Sequence, residues 1–425
     1  MTPRPAPLAL VLAALAAFAL MLAVIFDRVE PVLIAVPLIV MLVRGLAAMP
    51  PTRITLAHTI STERAVEGDP VTVTVTVTAE DEIPALEILY RLPPSVALAS
   101  GSNRVVLRLA AGETVAGSFD IRCLARGHVR LGEFHVRLWH PSRLKLAEAR
   151  RDHPLRLSIY PAAAPLRLLP KPLRTRATFG NHVSAQLGQG IEPGDIRPYG
   201  PGHLLKQINW RASLRLGRLY VTEFHEERNA DVVILLDTTA DVGAQPESSL
   251  DHCVKAAAAL ATAYLRHRDR VGLVTYGGNV QWIRPGTGRR QVEVLLEALL
   301  PTGMAGNYSF QDLDLLPPRV LPAGALVIAL SPLVDQRFTR ILTNLAERNF
   351  DVVLLALSPL PLMRRFTPAS PMQRLAARIW TLERRTLIEE LRQRGLAATE
   401  LVPGEPLDAA LAALARRRTR RAIAR

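Results

Sequence analysis

An unbroken apolar run near the amino terminus limits what this chain can fold into more than any other feature. The stretch from Pro7 to Phe26 carries no charged side chain, and about 20 such residues are enough for a helix to cross the ~30 Å hydrocarbon core of a bilayer. A second apolar run begins at Pro31 and reaches Met49, interrupted by Arg44, whose long side chain can extend to the interface. The sequence therefore predicts a transmembrane helical hairpin within residues 1–52.

A secretory signal peptide is the alternative interpretation, because alanine-rich stretches can supply a cleavage site. The first run is long for the apolar part of a signal peptide, and a second run directly after it is unexpected in a mature secreted protein. The hairpin is therefore the interpretation that we follow.

Flanking arginines predict the orientation of the hairpin. Arg4 precedes the first run, and Arg44 and Arg53 end or follow the second, whereas the connecting loop holds one Arg and two carboxylates. The positive-inside rule then puts both ends in the cytoplasm. We expect a protein of the inner (cytoplasmic) membrane with two transmembrane helices and cytoplasmic soluble domains. Its two cysteines, Cys123 and Cys253, lack metal or redox spacing, which agrees with a reducing compartment.

Residues 53–165 have the pattern of a β-rich domain. Val71 to Thr78 alternates Val and Thr, which is the period of a strand with one apolar face. Further short strands are predicted at Glu87–Leu92, Arg104–Leu109, Val115–Cys123 and Gly132–Leu138. Short strands with turn signals between them predict a β-sandwich domain, with the role of a spacer or docking domain at the membrane.

Residues 230–425 alternate between strand and helix patterns. The predicted strands are Val232–Leu236, Val271–Tyr276, Val280–Ile283, Ala325–Leu330, Asp351–Leu357 and Thr399–Val402. The predicted helices are Ser248–Arg266, Gln291–Leu300, Arg337–Arg348, Met372–Arg394 and one that begins at Leu407. Short apolar strands without alternation predict a parallel sheet covered on both faces, which is a doubly wound α/β domain. Such domains bind ligands at the carboxyl ends of their strands.

Residues 166–229, the motif segment, link these two domains and carry polar and aromatic residues that no amphipathic pattern requires. In chain order these are Tyr199, Pro201, Gly202, His203, Asn209, Trp210, Arg211, Arg215 and Glu223. The order resembles the Tyr-x-Pro-Gly-Asp…Asp/Asn-Trp-x-x-x-Ala/Ser-Arg motif of the domain-of-unknown-function family 58, with His203 where Asp is usual. We expect Trp210 to be a buried anchor of this segment, with ligand stacking as the alternative.

The resemblance implies a fold and a partner. Members of the family are membrane-anchored and carry a von Willebrand factor type A-like domain, which corresponds here to residues 230–425. They are commonly associated with MoxR-type AAA+ ATPases in chaperone-like systems that mature client proteins. The client of this chain is not identified by its sequence.

A candidate metal loop follows the first strand of the α/β domain. Asp237, Thr239 and Asp241 present oxygen ligands at alternate positions, which suits a hard cation such as Mg²⁺. In the type A fold that the resemblance implies, two further loops complete a metal-ion-dependent adhesion site. Their counterparts here offer Asn307 and Ser309 in the second loop and Pro332 in place of the Asp of the third. The structural alternative is that Asp237 bonds backbone amides or caps the next helix.

We expect this chain to be an interaction or assembly factor rather than an enzyme; a metal-dependent hydrolase that uses the Asp237 loop is the alternative. The formal net charge is +14, and residues 416–421 are almost all arginine. This excess favours the anionic cytoplasmic leaflet as a partner, although the arginine-rich composition of proteins from a GC-rich genome would give the same charge. An aromatic content of 5% and the lack of a basic-aromatic motif count against nucleic acid.

Overall fold

The chain divides into two units, residues 1–160 and residues 161–425. The computed structural model describes residues 2–47, 53–140, 142–170, 176–188, 192–200, 208–229, 231–277, 280–304, 319–364 and 370–423.

The first unit contains two sheets. Their strands are β1 (Thr2–Pro5), β2 (Ile54–Ile60), β3 (Arg64–Val66), β4 (Pro70–Ala79), β5 (Ile83–Arg91), β6 (Val96–Ser100), β7 (Arg104–Leu109), β8 (Thr114–Cys123), β9 (Gly127–Trp139) and β10 (Lys145–Tyr160). One sheet has the order β1-β10-β9-β5-β7, with β3 paired to β10, and the other has the order β2-β4-β8-β6.

One hydrophobic core joins the two sheets. The Val–Thr alternation buries Val71, Val73 and Val77 on the inner face of β4. Across this core, the ring of Tyr90 in one sheet packs edge-on against Phe119 of the other at 5.4 Å and against Phe134 at 5.0 Å. Side chains of both sheets belong to this core, which is the arrangement of a β-sandwich.

Two apolar helices, α1 (Pro7–Phe26) and α2 (Glu30–Ala47), lie between β1 and β2 in the chain. Of the described helices, α1 is long and apolar enough to cross a membrane. Its buried residues are small (Ala9, Ala16 and Ala19), whereas large apolar side chains such as Leu10 and Val24 are exposed. A water-soluble helix buries its large apolar residues, so this reversed pattern is typical of a helix that faces lipid.

The second unit begins with a small antiparallel sheet that the sequence did not predict. Its strands β11 (Arg176–Gly188), β12 (Glu192–Pro198) and β13 (Tyr220–Asn229) have the order β11-β13-β12. A short helix, α3 (Trp210–Leu216), lies in the chain between β12 and β13.

The larger sheet of the second unit has the order β16-β15-β14-β17-β18-β19. Its strands are β14 (Asp231–Asp237), β15 (Arg270–Tyr276), β16 (Gln281–Gly286), β17 (Leu326–Ser331), β18 (Asp351–Leu357) and β19 (Ala397–Leu401). The helices are α4 (Ser249–Arg266), α5 (Arg289–Leu299), α6 (Gln336–Glu347), α7 (Leu360–Arg364), α8 (Pro371–Gln393) and α9 (Leu407–Ile423). The strands are parallel apart from β16, which pairs antiparallel with β15.

Helices cover both faces of this sheet, as the continuous apolar strands predicted. Alternate residues of β14 enter opposite cores: Val232, Ile234 and Leu236 pack on the side of α4, α5 and α9, and Val233 and Leu235 pack on the side of α6 and α8. The central strand β14 therefore presents its carboxyl end between two layers of helices, where ligands bind in such folds.

Candidate functional site

Asp237 lies at the carboxyl end of β14 and is buried. Its Oδ1 accepts hydrogen bonds from the backbone N (3.0 Å) and Oγ1 (2.6 Å) of Thr239. Its Oδ2 accepts a hydrogen bond of 2.5 Å from Oγ of Ser331, at the end of β17. Because β14 and β17 are parallel neighbours, their last residues meet at one edge of the sheet and bring a carboxyl and two hydroxyl groups together.

Burial governs the charge of this site. It raises the pKa of Asp237 above the ordinary value of an aspartic acid, and the hydrogen bonds from Ser331 and Thr239 offset part of this rise. Among the described residues, no cationic side chain forms an ion pair with Asp237, and a buried carboxylate without such a partner favours either a proton or a bound cation. Carboxyl and hydroxyl oxygens are ligands of the class that Mg²⁺ takes, so the donor set fits a hard cation.

Asp241, the third predicted ligand of the metal loop, contacts the start of α4. Its Oδ1 accepts hydrogen bonds from Oγ of Ser249 (3.1 Å) and from the backbone N of Leu250 (2.9 Å), at the start of α4. The alternative to a metal loop was that Asp237 bonds backbone amides or caps the next helix. Asp237 does accept a bond from a backbone amide, that of Thr239, whereas the contacts to the next helix are made by Asp241. Ser331, which was not predicted as a ligand, contacts Asp237 together with Thr239. Within the described part of the chain, no three His, Cys, Asp or Glu side chains cluster as metal ligands.

The second loop of the predicted metal site, with Asn307 and Ser309, lies outside the described residues. In the third loop, the backbone oxygen of Pro332 accepts a hydrogen bond of 2.6 Å from Arg384. The same buried guanidinium donates to the backbone oxygen of Leu357 at 2.5 Å and pairs with Glu400 at 3.2 Å. Burial lowers the pKa of Arg384. Arg384 thus joins the carboxyl ends of β17, β18 and β19, a role that the sequence did not indicate.

The motif segment is folded around Asn209. Oδ1 of Asn209 accepts a hydrogen bond of 2.9 Å from the backbone N of Ala212 and so caps α3, while its own backbone N donates to the oxygen of Tyr220 at 2.8 Å. Oγ of Ser213 accepts a hydrogen bond of 2.8 Å from the backbone N of Tyr220. After the end of α3 in the chain, the oxygen of Leu219 accepts a hydrogen bond of 2.8 Å from the backbone N of Tyr199. These contacts hold α3 against the start of β13.

The expectation that Trp210 is a buried anchor is wrong, because its exposed fraction is 64%. The cap at Asn209 and the buried hydroxyl of Ser213 determine which side chains of α3 point outward. Residues 210 and 214 are one turn apart on its outer face, and Leu214 is 84% exposed. Arg211 and Arg215 are exposed beside them. The motif helix therefore exposes the indole of Trp210, the leucines Leu214 and Leu216, and two arginines.

Other motif residues lie where no contact is described. Pro201, Gly202 and His203 are outside the described residues, and Glu223 lies in β13 with its side chain outside them.

Part of this chain is similar to a protein family and to mycobacterial proteins. Residues 195–358 match the model of a family described as "Protein of unknown function DUF58". The chain is 26% identical over 138 residues to "Uncharacterized protein Rv1480" of Mycobacterium tuberculosis and to "Uncharacterized protein Mb1516" of Mycobacterium bovis. The match covers 31% of this chain and 44% of each relative, so the chain spans less than half the length of these proteins.

Solved structures give weaker likenesses. A cupredoxin domain of amoB from Nitrosocaldus yellowstonii has a TM-score of 0.19 at 12% identity and covers 26% of this chain and 90% of that chain. A β-glucosidase from Listeria innocua has a TM-score of 0.14 at 13% identity and covers 25% and 16%. These values carry no argument about fold or function. The family match confirms the resemblance found in the motif: over residues 195–358, the chain is similar to the DUF58 family.

Proposed function

We propose that this chain is a membrane-anchored interaction factor and that the outer face of α3 binds a partner protein. One observation carries this proposal: Trp210 and Leu214 are turned outward beside Arg211 and Arg215. Trp and Arg are the residues most enriched at the energetic centres of protein interfaces, and exposing an indole and a leucine has no benefit for folding. The partner would cover both apolar side chains.

A MoxR-type AAA+ ATPase is the partner that we propose, in a chaperone-like system that matures a client protein. The similarity to the DUF58 family supports this choice. The charge of the surface supports an acidic face on the ATPase, since residues 208–219 contain Arg211, Arg215 and Arg218 and no acidic residue.

We propose a two-span anchor in which α1 crosses the membrane and α2 returns. The pairing of β1 with β10, from Thr2 opposite Glu148 to Pro5 opposite Lys145, supports this topology. Because β1 and β2 both belong to the two sheets of the first unit, the helices between them must leave those sheets and return to them. If α1 crosses the bilayer, α2 has to cross back, and the soluble domains then lie in the cytoplasm by the positive-inside rule.

We further propose that the α/β unit is a von Willebrand factor type A-like domain with a degenerate adhesion site. Asp237 at the end of a central parallel strand supports this assignment, with Thr239 and Ser331 as hydroxyl ligands of Mg²⁺. When bound, the ion would offer an open position to an acidic side chain of the partner.

Affinity capture from detergent extracts of the native host tests the proposal. The full chain should retain a MoxR-type ATPase, and Trp210→Ala should lose most of it. The matched control is Trp282→Ala, because Trp282 is also exposed (44%) but lies on the edge strand β16. A chelator in parallel samples tests the proposed ion. Equal capture by the native chain and Trp210→Ala would refute the role of α3.

A further inference from the structure

The helix α8 exposes an apolar stripe that no described residue covers. Its carboxyl-terminal half is anchored by the buried residues Arg384, Ile388 and Leu391. The preceding half exposes four large apolar side chains at intervals of three, four and three residues: Met372 (75%), Leu375, Ile379 and Leu382 (62%). At 1.5 Å per residue the stripe is about 15 Å long. A contiguous exposed stripe of this kind marks an interaction site.

The spacing of this stripe is that of a coiled coil. In heptad terms, Met372 and Ile379 occupy the a positions, and Leu375 and Leu382 occupy the d positions. A β-branched residue at a with Leu at d favours two strands in a parallel arrangement. The stripe therefore has the composition of one half of a parallel two-helix pair.

We propose that this stripe pairs with the same stripe of a second copy of this chain, so that two α8 helices form a short parallel coiled coil. Charge complementarity identifies the occupant. Arg378 is at a g position, and Glu383, five residues later, is at the following e position. Parallel pairs join g of one helix to the following e of its partner, so a two-fold axis repeats the Arg378–Glu383 pair on both sides.

The opposite orientation lacks this complementarity. In an antiparallel pair with the same apolar contacts, g positions face g positions, so Arg378 would face its own symmetry copy. Within the described part of the chain, neither Arg378 nor Glu383 forms an ion pair or a hydrogen bond. Both charges are therefore available to a second copy.

Cysteine cross-linking of the full chain in nanodiscs or mild detergent tests the arrangement. The native cysteines give little background, because Cys123 and Cys253 are buried and burial raises the pKa of Cys123 to about 11. We expect Met372→Cys and Leu382→Cys to form covalent dimers as single variants. Arg374→Cys, at the outward c position, is the matched control and should remain monomeric.

Two results of this experiment would overturn the proposal. A cross-link only when Met372→Cys and Leu382→Cys are combined would indicate antiparallel helices. No cross-link at either position would exclude a second copy as the occupant and leave the stripe to a different protein.

Charge exchange provides an independent test that does not depend on the apolar contacts. Arg378→Glu and Glu383→Arg should each reduce the cross-linked fraction of the Leu382→Cys chain by about tenfold, because each puts like charges opposite one another. The double exchange should restore the fraction, which a folding defect would not do. Unchanged cross-linking in the single variants, or no recovery in the double variant, would refute the pairing.

Discussion

Replacement of the buried Arg384 tests how the carboxyl-end edge of the α/β sheet is held together. Arg384 donates to the backbone oxygens of Pro332 and Leu357, and Arg384→Met removes both donors while keeping most of the side-chain volume. Hydrogen bonds from a charged donor contribute about 1.5–3 kcal/mol each. The pair with Glu400 adds less than about 1 kcal/mol, because that carboxylate is partly exposed.

The net effect is smaller than the sum of these contributions. Removing the guanidinium also removes its desolvation cost, which is several kcal/mol for a buried charge. We therefore expect Arg384→Met to lower the opening free energy of this edge by about 3 kcal/mol. The opening free energy of Arg384→Lys should lie between those of the native chain and Arg384→Met. An ammonium group keeps the charge but cannot donate to both backbone oxygens as the planar guanidinium does.

Hydrogen exchange measured by mass spectrometry on the full chain is the appropriate assay, because it resolves β17 and β18 without requiring two-state unfolding. A loss of about 3 kcal/mol corresponds to exchange that is roughly 100-fold faster in these strands. Arg385→Met is the matched control, because Arg385 is the next residue in the chain and its side chain is exposed. Its opening free energy should differ from that of the native chain by no more than about 0.5 kcal/mol. If the exchange rates of β17 and β18 in Arg384→Met differ from those of the control by less than threefold, this role of Arg384 is refuted.

Two further predictions concern the metal loop and the anchor. Burial raises the pKa of Asp237 in the folded chain. Its carboxyl group therefore contributes stability at low pH, and this contribution is lost as the pH rises above the pKa that Asp237 has in the unfolded chain. Asp237→Asn should therefore gain stability relative to the native chain as the pH rises above about 4, measured by thermal unfolding, and the opposite slope would contradict the assigned pKa shift. For the anchor, a reporter fused after residue 425 should be active in the cytoplasm, and a cysteine at Asp27 should be labelled from outside intact cells; external protease cleavage of the soluble domains would refute this topology.

Elements with strong periodicity were predictable from the sequence. The apolar strands Val232–Leu236 and Asp351–Leu357 are observed as β14 and β18, within one residue at each end, because continuous Val and Leu runs have few alternatives to a buried parallel strand. The helix predicted from Ser248 begins one residue later, with Ser248 as its cap in a capping box with Asp251.

The contacts of the site were less predictable, because they join residues far apart in the chain. Ser331 meets Asp237 across 94 positions, and Arg384 reaches Pro332 across 52; neither pair has a local pattern. Trp210 was expected to be a buried anchor, but it lies on the exposed face of α3, directly after the cap residue Asn209. The antiparallel strands β11 to β13 contain little apolar alternation, which is why the motif segment had no predicted elements.

Direct titration of a purified MoxR-type ATPase against the full chain in nanodiscs tests the central claim most directly. With Mg²⁺ and nucleotide present, the native chain should bind saturably, and Trp210→Ala should raise the Kd by roughly tenfold to a hundredfold, the range for loss of an interface anchor. Trp282→Ala should leave the Kd unchanged. Equal Kd values for the native chain and Trp210→Ala, or no binding by the native chain, would contradict the account.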